Sequence, residues 1–199
     1  MKKSLALILT IFLFQFVNAQ EWTQTAIGAK GGLNFANIGG TDTDNATKLA
    51  GHLGAYADAY FQESLRFQIE LMLSGQGHAP KTDLAARLKL LYLNIPLIVR
   101  FYPVNNFSLH AGPQLGFLLN AKAEYQDITY DIKDSFKGID LGAALGAGYD
   151  FNLAGRDINV TLRYIHGLIN IADDPTNKRF NRVFQLALGI MIVELLQGS

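Results

Sequence analysis

Residues 65–74 read LRFQIELMLS, and this short stretch decides the fold. Every odd position carries a large apolar side chain, whereas the even positions include Arg66, Gln68 and Glu70. A period of two is that of a β-strand, because successive side chains of a strand point to opposite faces. The stretch therefore predicts a strand with one apolar and one polar face.

The same alternation recurs along the whole chain. It appears in eight segments, which begin near Ile27, His52, Leu65, Leu91, Phe107, Ile139, Ile158 and Phe184. The connections between them alternate between short and long: residues 62–64, 103–106 and 152–156 are short, and residues 39–49, 77–87, 126–136 and 172–181 are longer and polar. Short turns at one end and long loops at the other are typical of an up-and-down outer-membrane barrel. We therefore predict an all-β protein, an eight-stranded antiparallel transmembrane β-barrel.

The alternation alone does not decide which face meets lipid, because a soluble barrel would hold its apolar side chains inside. The polar face is rich in glycine, which weakens a solvated strand but makes room inside a narrow barrel. Aromatic residues of the apolar parity also gather beside the short turns, as in an interfacial girdle. The predicted girdle residues are Phe61, Phe101, Phe107, Tyr149 and Phe151, with Phe35, Phe117, Tyr164 and Phe184 as candidates for a second girdle. Both features favour lipid on the outside.

Charged residues of the polar parity should then point into the lumen. They are Lys30, Asp58, Arg66, Glu70, Arg100, Lys122, Asp140 and Arg163. Buried charges are tolerated when they are paired and hydrogen-bonded. We expect a structural ionic network in which Glu70 is compensated by one or more of Arg66, Arg100 and Arg163. An ion or substrate path along the lumen is the alternative reading of the same residues.

The N-terminus has the pattern of a secretory signal peptide. Lys2 and Lys3 precede an apolar run that extends from Leu5 to Phe14, and small residues follow it. That run is shorter than the ~20 apolar residues needed to span a bilayer as a helix. We predict cleavage after Ala19, which leaves residues 20–199 as one outer-membrane barrel domain.

Composition excludes several function classes. Removing Lys2 and Lys3 from the 17 basic residues leaves 15, against 17 acidic residues. This near-neutral balance argues against nucleic-acid binding, which favours a basic excess. The chain contains no cysteine, which excludes thiolate metal sites and thiol catalysis.

Several segments resemble the PorT-like outer-membrane β-barrel family of Bacteroidetes. The similar segments, in chain order, are GAKGGLN at 28–34, QIE at 68–70 with GQG at 75–77, LYLNIPL at 91–97, AGPQLG at 111–116 and DLGAALGAG at 140–148. The resemblance covers nearly all of the predicted mature chain. It implies an eight-stranded barrel in the outer membrane of a Gram-negative bacterium. It does not imply one function, although the founding member of the family assists a secretion system for surface proteins.

We predict no catalytic, cofactor or metal site. The four histidines lack metal-binding spacing, and His78 beside Ser74 is the nearest candidate for a nucleophile and base. The favoured function is a non-enzymatic barrel that acts through extracellular loops in secretion, adhesion or envelope integrity. A narrow passive channel and an envelope lipid-modifying enzyme are the alternatives. The predicted partners are outer-membrane lipid, lipopolysaccharide and envelope or secretion-system proteins, and the N-terminus is expected to be periplasmic.

Overall fold

A computed structural model describes residues 24–41, 45–81, 87–126 and 128–196. The predicted signal peptide, residues 1–19, lies outside this described part. Nine strands and one 3-10 helix form the described part: β1 (Gln24–Gly40), β2 (Lys48–Gln62), β3 (Leu65–His78), β4 (Arg87–Val104), β5 (Phe107–Tyr125), β6 (Ile128–Asp131), the helix (Lys133–Ser135), β7 (Ile139–Leu153), β8 (Arg156–Gly167) and β9 (Arg179–Leu196).

Eight of these strands form a closed antiparallel barrel in chain order. Each of them pairs with the next along the chain, and β5 pairs directly with β7. Pairing of β1 with β9, from Gln24 opposite Leu196 to Gly40 opposite Arg179, closes the ring. The short strand β6 pairs with the last residues of β5 and prolongs that hairpin beyond the barrel. The prediction of an eight-stranded up-and-down barrel is therefore confirmed.

The two ends of the barrel differ. Tight turns at residues 63–64, 105–106 and 154–155 join strands at the end that we call the turn end. The longer connections emerge at the opposite end, which we call the loop end. Strands reach further into these connections than the alternation indicated, since β1 continues to Gly40 and β9 begins at Arg179. Pairing of Gln24 with Leu196 puts the beginning of β1 and the end of β9 at the turn end.

The outer face of the barrel is apolar. Leu71, Leu145 and Leu188 are 53%, 61% and 60% exposed, whereas the intervening residues of the same strands face the lumen. An apolar belt of this extent is unfavourable against water and is the surface that a lipid-facing barrel presents. No helix in the described ranges is long and apolar enough to cross a membrane.

A bulge in β5 reverses the alternation near the loop end. Leu91 pairs with Asn120, but the next residue, Tyr92, pairs with Leu118, so β5 carries one extra residue there. Beyond the bulge Ala121 is buried and Lys122 is exposed. The prediction that Lys122 points into the lumen is therefore wrong, because an inserted residue moves every later side chain to the other face.

Candidate functional site: the barrel lumen

Glu70 lies in the middle of β3, and its buried carboxylate binds two cations. Lys30 Nζ donates to Glu70 Oε1 at 2.7 Å. Arg163 makes a bidentate contact, with Nη1 donating to Oε2 at 2.8 Å and Nη2 to Oε1 at 2.9 Å. All three side chains are at most 3% exposed. Because they come from β1, β3 and β8, this central triad crosses the lumen and ties three strands together.

A second ionic group lies closer to the turn end and centres on Arg100. Its Nη1 donates to Asp58 Oδ2 at 2.9 Å, and its Nη2 donates to Asp150 Oδ1 at 2.8 Å. The Tyr102 hydroxyl donates to the other oxygen of Asp150 at 2.6 Å. The Arg100 charge is therefore shared by two carboxylates, which compensates its burial.

Arg66 occupies the mouth of the lumen at the turn end. Its guanidinium lies between two tyrosine rings, 4.2 Å from the centroid of Tyr60 and 4.3 Å from that of Tyr102, a cation–π arrangement. It also lies 3.5 Å from Asp150 and is 22% exposed. These side chains line an open vestibule of about 720 Å³.

The predicted partners of Glu70 are corrected by these contacts. Arg163 does bind Glu70, but Arg66 and Arg100 bind other acids, and Lys30 takes the remaining place. Parity gives the face of a residue but not its height in the barrel. Arg66 and Arg100 lie opposite each other in the register of β3 and β4, four positions closer to the turn end than Glu70. Asp150, a central acceptor of the second group, was not predicted, although it shares the parity of Asp140.

Asp140 lies near the loop end, away from both ionic groups. It is 5% exposed, and its Oδ2 accepts a hydrogen bond from Asn181 Nδ2 at 2.8 Å. Within the described ranges, no basic side chain forms an ion pair with it. Asp140 is thus buried in the lumen, as predicted, but it forms no ion pair with the described residues.

From its centre towards the loop end, the lumen is filled by side chains as far as Ile38, beyond which a cavity of about 440 Å³ opens among the loops. The cavity beside the central triad measures about 10 Å³, roughly enough for one water molecule. Towards the loop end, Asn34 donates to Ser74 at 2.9 Å and accepts from Gln185 at 2.9 Å. Beyond this polar layer lies an apolar cluster, here called the apolar plug, which consists of Ile38, Leu88, Leu90, Tyr92, Leu118, Ala121, Phe136 and Ile171. Because Phe136 and Ile171 belong to loops, the loops themselves help to close the barrel.

The predicted girdle residues lie on the outer face beside the turns. Phe101 and Tyr149 are 48% and 50% exposed, and Phe61, Phe107 and Phe151 are half-buried. Phe61 meets the ring of Phe67 edge-on, with 6.2 Å between the ring centroids. On the far side of the apolar belt, Phe35, Phe184 and Tyr164 are neighbours in the strand register. The rings of Tyr164 and Phe184 are tilted by 39° to each other, with 4.6 Å between their centroids.

Catalytic groups do not assemble into a triad in the described part of the chain. Ser108 Oγ lies 2.8 Å from Nε2 of His110, but both residues are buried and Nδ1 of His110 has no orienting partner there. His78 contacts the carbonyl of its neighbour Ala79, whereas Ser74 is bound within the lumen. Nor do the described residues bring three or more His, Cys, Asp or Glu side chains close enough to hold a metal ion.

Comparison with known proteins agrees with this architecture. The sequence matches a family model described as outer membrane protein beta-barrel domain over residues 18–173. Neisserial surface protein A (NspA) shares the fold at a TM-score of 0.52 and 14% identity, covering 84% of this chain and 97% of that one. Ail, the attachment invasion locus protein of Yersinia pestis, does so at a TM-score of 0.50 and 12% identity, covering 86% and 100%. No curated protein sequence matches the chain. Since the family model matches well over half of the residues, the chain belongs to the outer membrane protein beta-barrel domain family and is a protein of the outer membrane.

Proposed function

We propose that this protein is a non-enzymatic barrel of the PorT-like group that acts through its loop end. Its role would be that of a secretion-accessory, adhesion or envelope-integrity protein. The observation that carries the proposal is the filled lumen, which leaves the two ends as the surfaces available for function. In this proposal the N-terminus lies in the periplasm, so that the short turns face the periplasm and the long loops face the exterior.

The packing of the lumen favours this role over that of a passive channel. The central cavity of about 10 Å³ lies beside the ion pairs of the central triad, and the apolar plug lies across the route to the loop end. A conducting pore needs a continuous hydrated path, whereas an ion crossing here would have to break the central triad and enter an apolar layer. Ser108 and His110 are themselves buried, at 0% and 3% exposed, so a substrate could not reach them without displacing lumen side chains, which argues against the enzyme alternative.

Two of the long connections contact each other in the described part of the chain. A bridge joins Phe136 to Ala172, and Lys137 N–H donates to the carbonyl of Ile171 at 2.8 Å. Two connections from different parts of the chain are therefore fixed over the plug. Binding to a preorganised surface loses less conformational entropy than binding to a mobile loop.

The hairpin formed by β5 and β6 offers an exposed contact surface at the loop end. All four residues of β6 are exposed, including Ile128 at 54% and Tyr130 at 51%. Aromatic and aliphatic side chains on a protruding hairpin are characteristic of contact surfaces for partners. Candidate partners are lipopolysaccharide of the surrounding membrane and envelope or secretion-system proteins.

Site-specific photo-crosslinking in intact cells tests the proposal. A photoreactive residue in place of Tyr130 should cross-link a discrete partner, either a protein or lipopolysaccharide. The same residue in place of Asn105 in a short turn, or of Tyr149 on the outer face, serves as the matched control. Cross-links confined to the Asn105 variant would contradict action through the loop end.

A further inference from the structure

The vestibule at the turn end is large enough to hold a small molecule. Its volume is about 720 Å³, whereas the cavity beside the central triad measures about 10 Å³. Ligand pockets in proteins usually measure about 300–1,000 Å³. The vestibule opens among the turns that join β2 to β3 and β4 to β5. The charges that line it therefore decide which kind of ligand it suits.

The lining of the vestibule carries more acidic than basic side chains. Its basic side chains are Arg66 and Arg100, and its acidic side chains are Asp58, Glu63, Asp150, Asp157 and Glu194. Asp58 and Asp150 form ion pairs with the two arginines, so these four charges cancel. The three remaining carboxylates leave an excess of negative charge, which attracts cations into a cleft.

These three carboxylates belong to Glu63, Asp157 and Glu194, which are exposed at the rim of the vestibule. None of them forms an ion pair within the described ranges. Asn152 donates to Asp157 at 2.9 Å and Gln24 donates to Glu194, but these neutral amides leave the negative charges in place. In the strand order β3-β2-β1-β9-β8, the three acids follow one arc of the rim, from the turn between β2 and β3 through β9 to β8.

The inner part of the vestibule gives an independent indication of a missing donor. Asp58 lines the vestibule and is only 4% exposed. Its Oδ2 accepts a hydrogen bond from Arg100, whereas its Oδ1 has no hydrogen-bond partner among the described residues. A buried carboxylate oxygen without a donor is unfavourable. An ammonium group carries three N–H donors and could supply one of them.

We propose that the vestibule binds an organic cation that carries several ammonium groups, either a free polyamine or the lysine side chains of a peptide. Because the described residues do not gather three acids closely enough to hold a metal ion, a ligand with separate positive charges matches the rim better than one compact ion. Tyr60 and Tyr102 already hold the Arg66 guanidinium between their rings, which shows that aromatic faces at this mouth accept cations. This site lies at the end opposite the loops, so the proposal goes beyond the proposed function and does not depend on it.

Equilibrium dialysis of spermidine against the mature protein in an uncharged detergent tests the proposal. We expect saturable binding of one spermidine per protein, which weakens as NaCl is added because salt screens exposed charges. Glu63→Gln, Asp157→Asn and Glu194→Gln should each weaken binding by about two- to fivefold, as expected for exposed ion pairs. The triple variant should lose more than about tenfold. Asp134→Asn removes an exposed acid at the loop end and should bind like the wild-type protein.

Two further measurements separate binding in the vestibule from general attraction to an acidic surface. Ser64→Trp places a large side chain at the vestibule and keeps every acid, so it should also weaken binding more than about tenfold. Acetylated, amidated trilysine carries the same three charges as spermidine. Tighter binding of spermidine would assign the site to a free polyamine, and tighter binding of trilysine to a polypeptide segment. The proposal is overturned if neither probe binds saturably, if the triple variant or Ser64→Trp keeps the wild-type affinity, or if Mg²⁺ at equal ionic strength displaces spermidine as well as trilysine does.

Discussion

Replacing Glu70 with glutamine should destabilise the barrel strongly. The carboxylate accepts three charge-assisted hydrogen bonds, at 2.7, 2.8 and 2.9 Å, from Lys30 and Arg163. An amide offers one acceptor oxygen in its place, and its NH₂ group faces donors. Two cations that are at most 3% exposed would then lose their counter-charge. Breaking a buried pair in this way costs about 3–5 kcal/mol, because water does not screen charges that are buried this deeply.

The magnitude can be checked by denaturant unfolding in lipid vesicles, followed by circular dichroism. Glu63→Gln makes the same chemical change at an exposed turn residue and should shift the free energy of unfolding by less than about 0.5 kcal/mol. Leu71→Ile on the lipid face should also do little. An unfolding midpoint that is the same for Glu70→Gln and the wild-type protein would refute the ionic account of the lumen.

Double variants test which arginine is the partner. Arg163→Met alone leaves Glu70 paired with Lys30, so it should cost less than Glu70→Gln. The double variant Glu70→Gln/Arg163→Met should be more stable than the sum of the single effects by about 1–2 kcal/mol. Combining Glu70→Gln with Arg100→Met should give no such recovery, because Arg100 binds Asp58 and Asp150. Equal recovery in both double variants would contradict the pairing.

Three further predictions concern packing, closure and topology. A side chain at Gly28 would collide with the Tyr56 ring and a backbone carbonyl, so Gly28→Ala should cost about 1–3 kcal/mol in denaturant unfolding, whereas Gly138→Ala, with open space around it, should cost almost nothing. The closed barrel has no edge from which to fray, so unboiled and boiled samples should migrate differently in gel electrophoresis, and identical mobility would count against closure. A cysteine in place of Asp174 should react with an impermeant maleimide on intact cells, and one in place of Asn105 should not; the reverse pattern would invert the topology.

The strands could be predicted from the sequence because the two faces of a lipid-facing barrel differ so sharply in polarity. In β3 the alternation of Phe67, Ile69 and Leu71 with Gln68 and Glu70 reads directly as outside and inside. The odd or even position of a residue no longer predicts its face where the register between two strands shifts. The bulge in β5 moves Lys122 to the outer face, and the residues around it, Asn120 and Ala121, carry no pattern that marks an inserted residue.

The partners inside the lumen were harder to predict than its members. Lys30 and Arg163 are 40 and 93 positions from Glu70 along the chain, and their meeting depends on the stagger between strands. That stagger follows from the tilt that closes the barrel, which no single strand encodes. The apolar plug was not predicted for a different reason. Phe136 and Ile171 belong to irregular connections, where no periodic pattern indicates which way a side chain points.

Conductance in planar lipid bilayers tests the central claim most directly, namely that the lumen is closed. The purified mature protein, inserted and verified by its heat-dependent mobility, should give no current steps above the bare membrane. Glu70→Gln, which disturbs the central triad beneath an intact apolar plug, should also stay silent. Reproducible, ohmic current steps from the wild-type protein would contradict a closed lumen and favour the channel.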